Sequence, residues 1–164
     1  MQFPEHFPLE ILIASQTATR YGIDNNPSDS EIRNLYRVAW FLETLRTKLI
    51  SRFSSVKYGN IIVSSGYRCK TLNRKIGGSR TSNHVKGLCV DIVVPGMSAY
   101  DLAKFIEENM AGMGWDQLIH EFGRWVHVGL SEDIPRQEVM TAKKIAFENR
   151  RKTVYVQGIE KVAA

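Results

Sequence analysis

Residues 82–94 read SNHVKGLCVDIVV, a polar loop that leads into an apolar strand. Every residue from Leu88 to Val94 is apolar except Asp91, so the strand reads as buried and carries one carboxylate. A buried carboxylate is costly unless it is paired with a basic side chain or bound to a cation. The residues of this strand alone leave both explanations open.

Two histidines are candidates to join Asp91 in a metal site. His84 lies on the loop seven positions earlier, where it is either solvated or functional. His127 alternates with valines in WVHV, residues 125–128, and is either a half-buried structural histidine or a ligand. Two imidazoles and one carboxylate are the protein ligands expected of a catalytic zinc. Together the three residues predict a zinc site that joins a loop, a strand and a later hairpin.

The size and composition of the chain predict one domain, residues 1–164, with its own hydrophobic core. The chain has 164 residues, of which 43% are hydrophobic and 24% charged, as in ordinary globular proteins. It contains no internal repeat and no apolar run of about 18 residues, so we predict no membrane span. The N-terminus lacks a basic region and is broken by Pro4 and Pro8, which is not typical of a secretory signal.

Charge and cysteine content limit the partners and the compartment. The net charge of +5 suits an anionic partner such as a cell-wall polymer, although the basic clusters are short and favour a solvated face. No groove-reading or base-stacking motif is present, so we predict no nucleic-acid partner. Cys69 and Cys89 lack metal-site or redox spacing, and we expect free thiols in a reducing compartment.

Helices and strands are predicted from apolar spacing and from turn residues. Ser28 and Glu31 form a capping box, after which helical spacing predicts a helix to about Ile50. A second amphipathic helix begins at Ser98. Shorter elements are predicted as a strand at 60–64, a helix at 70–76 and a strand at 88–94.

The C-terminal third begins with a predicted β-hairpin. Strands at 115–122 and 125–130 flank the turn Gly123-Arg124. We predict a helix from about 137 to 148 and an edge strand at 153–157. Because strands and helices do not alternate strictly, we predict an α+β fold with a small, largely antiparallel sheet flanked by helices.

The order of these motifs resembles that of a known peptidase family. The segment SSGYR at 64–68 is followed by Asn73, by Gly77-Gly78, by the pattern SxHxxGxCxD at 82–91 and by WVH at 125–127. Over roughly residues 61–129 this pattern is similar to the zinc D-Ala-D-Ala carboxypeptidases, whose fold is shared with hedgehog signalling domains. The N-terminal loop and helix resemble phage and prophage members, many of which are endolysins or cell-wall peptidases.

The resemblance implies roles for individual residues. It makes His84, Asp91 and His127 the zinc ligands. Arg68 would bind the substrate carboxylate or the developing oxyanion through paired donors. Ser82 would hydrogen-bond the substrate backbone or orient His84. Cys89 stands where alanine is usual in the family, a change of compatible size.

The general base is not given directly by the resemblance. Relatives carry an acid three positions before the last histidine, where this chain has Arg124, or a histidine two positions before it, where this chain has Trp125. The remaining candidates are Glu121, His120 and Asp116. We expect a two-residue hairpin loop to pair His120 with His127 and a three-residue loop to pair Glu121 with it. We predict Glu121, since a carboxylate is the usual base in zinc peptidases, and keep His120 as the alternative.

These inferences combine into one predicted function and one alternative. The prediction is zinc-dependent hydrolysis of a peptide bond in the peptidoglycan stem or cross-link, by a DD-carboxypeptidase or endopeptidase, in phage-mediated cell-wall degradation. The alternative is a catalytically inactive, metal-stabilised module that binds the cell wall or belongs to a phage particle. We expect a monomer made in the cytoplasm without a signal peptide, acting on peptidoglycan from the periplasm or from a virion.

Overall fold

The computed structural model describes residues 1–147 and 150–162, which form an α+β structure. The helices are α1 (Leu9–Ile13), α2 (Gln16–Tyr21), α3 (Asp29–Phe53), α4 (Lys70–Lys75) and α5 (Ala99–Asn109). The strands are β1 (Ile62–Ser65), β2 (Cys89–Val93), β3 (Trp115–Glu121), β4 (Trp125–Leu130), β5 (Glu138–Phe147) and β6 (Arg150–Gln157). They form one six-stranded sheet in the order β1-β2-β4-β3-β5-β6. Of its five strand pairings, only that of β3 with β5 is parallel, which confirms the predicted fold class.

The long helix α3 supplies one side of the core. It begins at the predicted capping box, where the backbone N–H of Ser28 donates to the Glu31 carboxylate at 2.7 Å. The residues that α3 buries recur at helical spacing and are Leu35, Val38, Ala39, Phe41, Leu42, Leu45 and Leu49. Burial of each leucine side chain contributes about 1.5–3 kcal/mol, so packing rather than intrinsic propensity holds the helix in place.

The sheet has one face in the core and one face that bears polar residues. In β2 and β4, the residues Val90, Ile92, Val126 and Val128 point into the core. Successive side chains of a strand point to opposite faces, so Asp91 and His127 lie on the other face. The alternation of apolar and polar residues in β2 and β4 therefore places the candidate site on the face of the sheet opposite the core.

The shorter predicted elements around this face are confirmed. The strand predicted at 60–64 is β1, the helix at 70–76 is α4, the strand at 88–94 is β2, and the hairpin is β3 and β4. The second amphipathic helix, α5, begins as predicted after Ser98, whose hydroxyl accepts from the backbone N–H of Asp101 at 3.0 Å. Both cysteines are free, and no helix in the described ranges is long and apolar enough to cross a bilayer.

The predicted helix at 137–148 is wrong, because Glu138–Phe147 is strand β5. Its methionine, alanine and lysine residues favour a helix locally, which explains the error. Pairing with distant strands overrides that preference: residues 138–142 of β5 lie parallel to β3, and residues 140–147 lie antiparallel to β6. The last residue of the predicted helix, Glu148, lies outside the described residues. The predicted edge strand is confirmed as β6 and is longer, beginning at Arg150.

Candidate metal centre and active site

A short turn before β2 positions His84. The turn Asn83–Lys86 begins at Ser82, whose hydroxyl accepts a long hydrogen bond from the backbone N–H of His84 at 3.4 Å. His84 is 2% exposed, and its Nδ1 donates to the Gly66 carbonyl at 2.7 Å. A carbonyl only accepts hydrogen bonds, so Nδ1 carries the proton and Nε2 is left to bind a cation.

Gly87 ends this turn in a conformation that favours glycine. Its φ is +68°, in the left-handed region, and a Cβ at this position would lie 2.9 Å from the Glu31 carbonyl oxygen. A larger residue would therefore be strained and would also push the turn away from α3. The turn that carries His84 is fixed against the core by this glycine.

Pairing of β2 with β4 brings the carboxylate and the second imidazole together. Asp91 is directly opposite His127 in the antiparallel register, so the two side chains share a face. The Asp91 Oδ1 lies 2.8 Å from Nδ1 of His127 and 3.3 Å from Nε2 of His84. The structure thus places all three residues predicted as ligands around one carboxylate oxygen.

The ionisation of this cluster is strongly coupled. Burial lowers the pKa of His84, but the neighbouring Cys89 and Asp91 outweigh burial and raise it to about 9. The same groups raise the pKa of His127 well above its ordinary value. Burial raises the pKa of Asp91, but hydrogen bonds from both histidines hold it below its usual range. Protons and a metal cation therefore compete for the same imidazole nitrogens.

Two overlapping groups of donor atoms surround this point. Ligand atoms of His84, Cys89 and His127 lie within 4.8 Å of one another, and so do those of Asp91, Glu121 and His127. His127 belongs to both groups, so the five side chains converge on one region. Sequence reasoning treated Cys89 as a small apolar residue. The signal that it missed is the period of two, which puts Cys89 on the same face of β2 as Asp91.

The hairpin register corrects the argument used to choose the base. The turn is Phe122–Arg124, three residues long, and it pairs Ile119 with His127. The expectation that a three-residue loop would pair Glu121 with His127 is therefore wrong. Glu121 is opposite Trp125 instead. It still shares the face of His127, because it lies two residues along the strand from Ile119.

His120 lies on the opposite, core-facing side of the sheet. It is opposite Val126 and is 0% exposed. Its Nδ1 donates to the Glu160 carbonyl at 2.9 Å, and its ring packs edge-on against Tyr100. The structure thus brings Glu121, and not His120, towards the three predicted ligands.

The environment of Glu121 shifts its ionisation in the direction that suits a base. Burial raises the pKa of Glu121, and the negative charge of Asp91 raises it further, while His127, His84 and Arg68 act in the opposite direction. The net effect is a raised pKa. A carboxylate with a raised pKa takes up a proton more readily near neutral pH.

Asp116, the third candidate base, has a structural partner elsewhere. Its carboxylate is 5% exposed and accepts from the Arg136 side chain, at 2.6 Å from Nη2, and from the Arg136 backbone N–H at 2.8 Å. Hydrogen bonds from the Arg136 side chain hold the pKa of Asp116 below its usual range. Asp116 therefore anchors the segment between β4 and β5 and belongs to no candidate site.

We expect Asp116→Asn to reduce stability by about 1–3 kcal/mol, because a charged, hydrogen-bonded pair is lost. A carboxyl with a lowered folded-state pKa stabilises the fold above its unfolded pKa of about 3.9, and this contribution disappears as the pH falls through the folded value. Urea unfolding of both proteins at several pH values measures the difference in free energy. A difference that is unchanged well below pH 3.9 would contradict the assignment.

Arg68 lies next to the turn that carries His84. It follows β1, and its backbone N–H donates to the His84 carbonyl at 3.1 Å. Its positive charge lowers the pKa of Glu121. Within residues 1–147 and 150–162, its buried Nε has no hydrogen-bond partner. Arg68 also lines a groove with Ser64 and Ser65, so it can offer donors to a bound ligand.

The donor chemistry fits a borderline metal such as zinc. Imidazole nitrogens, a carboxylate and a thiol are zinc ligands, whereas magnesium and calcium prefer oxygen donors alone.

No curated protein matches this chain in sequence. The family model described as Peptidase M15 matches residues 5–129, well over half of the 164 residues and a span that includes the whole donor cluster. The chain therefore belongs to the Peptidase M15 family, and its cluster of histidine, cysteine and acidic donors is a candidate metal site of a metallopeptidase.

Proposed function

We propose that this chain hydrolyses a peptide bond in the peptidoglycan stem or cross-link with a bound zinc ion, as a DD-carboxypeptidase or endopeptidase. The observation that carries the proposal is the convergence of His84, Asp91 and His127 with Glu121 on one face of the sheet, in a member of a peptidase family. The resemblance to phage and prophage enzymes makes phage-mediated cell-wall degradation, as by an endolysin, the setting that we propose. Because β5 pairs with β3, we also propose that residues 1–164 form one domain.

The residues proposed to hold zinc are His84, Asp91 and His127. His84 would bind through Nε2, since its Nδ1 donates to the Gly66 carbonyl. That hydrogen bond also fixes the orientation of the ring, as outer partners of metal-binding histidines commonly do. When bound, zinc supplies Lewis-acid chemistry and lowers the pKa of a water molecule to about 7.

Three further side chains have proposed roles in the reaction. Glu121 accepts a proton from the attacking water and returns it to the leaving amine. Arg68 binds the substrate carboxylate or the developing oxyanion, and a guanidinium suits both because its donors are paired. Ser82 orients His84, since its hydroxyl accepts from the His84 backbone N–H.

The function is tested with defined muropeptides and mass spectrometry of the fragments. Release of terminal D-alanine would identify a carboxypeptidase, and cleavage of cross-linked dimers a DD-endopeptidase. Cleavage between L-alanine and D-glutamate, with L-alanine left on the sugar, would identify an L-alanyl-D-glutamate endopeptidase. A zinc-loaded protein that releases no fragment from any of these substrates would contradict the proposal and favour an inactive wall-binding or phage structural module.

The β5–β6 ribbon gives this site a basic neighbour. In register, Glu121 is beside Ala142 of β5, and Ala142 is opposite Tyr155 of β6. Burial, and then the charge of Glu121, raise the pKa of Tyr155, so the ribbon adjoins the face that carries the cluster. Between residues 143 and 152 the sequence has five basic residues and one acid, which is most of the net charge of +5. We propose that this ribbon attracts the anionic cell wall.

We expect the triple variant Arg150→Glu, Arg151→Glu, Lys152→Glu to bind purified peptidoglycan at least about threefold more weakly, since each exposed charge contributes about 0.2–1 kcal/mol. The matched control reverses three exposed cations of α3, Arg33, Lys48 and Arg52. Co-sedimentation at low and high ionic strength measures binding, and the difference between the variants should shrink as salt rises. Equal losses in the two triple variants would mean that net charge, not the ribbon, attracts the wall.

A further inference from the structure

Cys89 is a buried thiol on the face of the sheet that carries the predicted ligands. It begins β2 two residues before Asp91, so the two side chains point to the same side. Its exposure is 0%, and its partner across the strand pair is Gly129, which has no side chain to cover the sulfur. The thiol therefore lies on the face of the sheet that carries His127.

Distances place the thiol among the metal-binding atoms. The Cys89 Sγ and one ring nitrogen each of His84 and His127 lie within 4.8 Å of one another. In tetrahedral zinc sites the metal is about 2.3 Å from sulfur and about 2.0–2.1 Å from nitrogen, so donor atoms are about 3.5 Å apart. Small side-chain movements are enough to bring these three atoms to that spacing.

We propose that Cys89 is a fourth protein donor to the metal and binds it as a thiolate beside His84, Asp91 and His127. The Sγ–H bond breaks and the proton passes to solvent while a bond from sulfur to the metal forms, with no change in oxidation state. This inference rests on the metal-binding part of the proposed function and not on hydrolysis. A thiolate donor shifts the preference of the site towards zinc, cobalt and cadmium and away from magnesium and calcium. Zinc sites can expand to five donors, so a fourth protein donor is compatible with entry of a substrate.

Cobalt(II) absorption spectroscopy tests the proposal directly. Bands in the visible region report cobalt bound by any donor set, whereas a near-ultraviolet charge-transfer band requires a thiolate. We expect both kinds of band in the unmodified protein, loss of the charge-transfer band alone in Cys89→Ala, and both bands in Cys69→Ala. Cys69 is a matched control because its sulfur accepts from the backbone N–H of Leu72 at the start of α4.

The outcomes separate this inference from the proposed function. Visible bands without the charge-transfer band in the unmodified protein would overturn the role of Cys89, and so would a charge-transfer band that persists in Cys89→Ala. Failure of the protein to bind cobalt at all would overturn both proposals. A charge-transfer band in a protein that does not hydrolyse muropeptides would support Cys89 and contradict the peptidase. Should Cys89→Ala not fold, zinc X-ray absorption of the unmodified protein decides, since a sulfur neighbour is expected at about 2.3 Å.

Discussion

The variant His84→Ala is expected to lose its zinc and its peptidase activity while keeping its fold. His84 presents Nε2 to Asp91 at 3.3 Å, in the position proposed for the metal. Loss of an outer partner of a metal ligand already weakens metal binding by about 10–100-fold, and loss of a ligand itself should cost more. Elemental analysis after dialysis should therefore find zinc in the unmodified protein and almost none in the variant.

A second buried histidine provides the matched control. His120 resembles His84 in burial, and the Nδ1 of each donates to a backbone carbonyl, of Glu160 and of Gly66. His120→Ala and His84→Ala thus leave similar unsatisfied carbonyls, each at a cost of about 1–3 kcal/mol. Only His84 faces the candidate metal site, so only its loss should remove zinc.

Thermal unfolding gives an independent measure of the same prediction. A ligand that binds only the folded state at 100 times its Kd stabilises that state by about 2.7 kcal/mol. Added zinc should therefore raise the Tm of the unmodified protein and of His120→Ala, and leave that of His84→Ala unchanged. Equal zinc content in His84→Ala and the unmodified protein would refute His84 as a ligand.

The sequence predicts best those features that depend on residues close together in the chain. Asp91 is the one charged residue among the apolar residues 88–94, and a buried carboxylate requires a partner. The strand and the need for a partner of Asp91 are therefore both predictable. Helix α3 was predictable because its cap and its apolar spacing are local. Such features need no knowledge of which strands lie side by side.

Features that depend on long-range pairing were not predictable. Local propensity predicts a helix where β5 lies, and the pairing of β5 with β3 and β6 explains why it is a strand. The sequence leaves Asp116 among the candidate bases because it does not show the partner of its carboxylate. That partner, Arg136, lies 20 positions away on a segment whose path the sequence does not define. The hairpin register follows from the turn Phe122–Arg124, and in that register Glu121 shares a face with His127 without being opposite it.

The variant Glu121→Gln is expected to lower kcat by about 10²–10⁴-fold while zinc content stays unchanged. Glutamine keeps the size and one acceptor oxygen of glutamate, but its amide cannot act as a general base. Glu121 shares the face of His127, and burial and the nearby Asp91 raise its pKa. Loss of a proton acceptor should therefore slow the chemical step, and KM should change little. Steady-state kinetics on a defined muropeptide, with metal analysis of the same samples, measures both quantities.

Three outcomes distinguish the roles open to Glu121. Its carboxylate lies within 4.8 Å of ligand atoms of Asp91 and His127, so it is also placed to bind the metal itself. Zinc lost together with activity in Glu121→Gln would make Glu121 a ligand instead of a base. Zinc retained with full activity would remove it from the mechanism. His120→Ala should keep its activity per zinc-loaded molecule, because His120 faces the core. A large loss of activity in His120→Ala, together with an active Glu121→Gln, would transfer the role of base to His120.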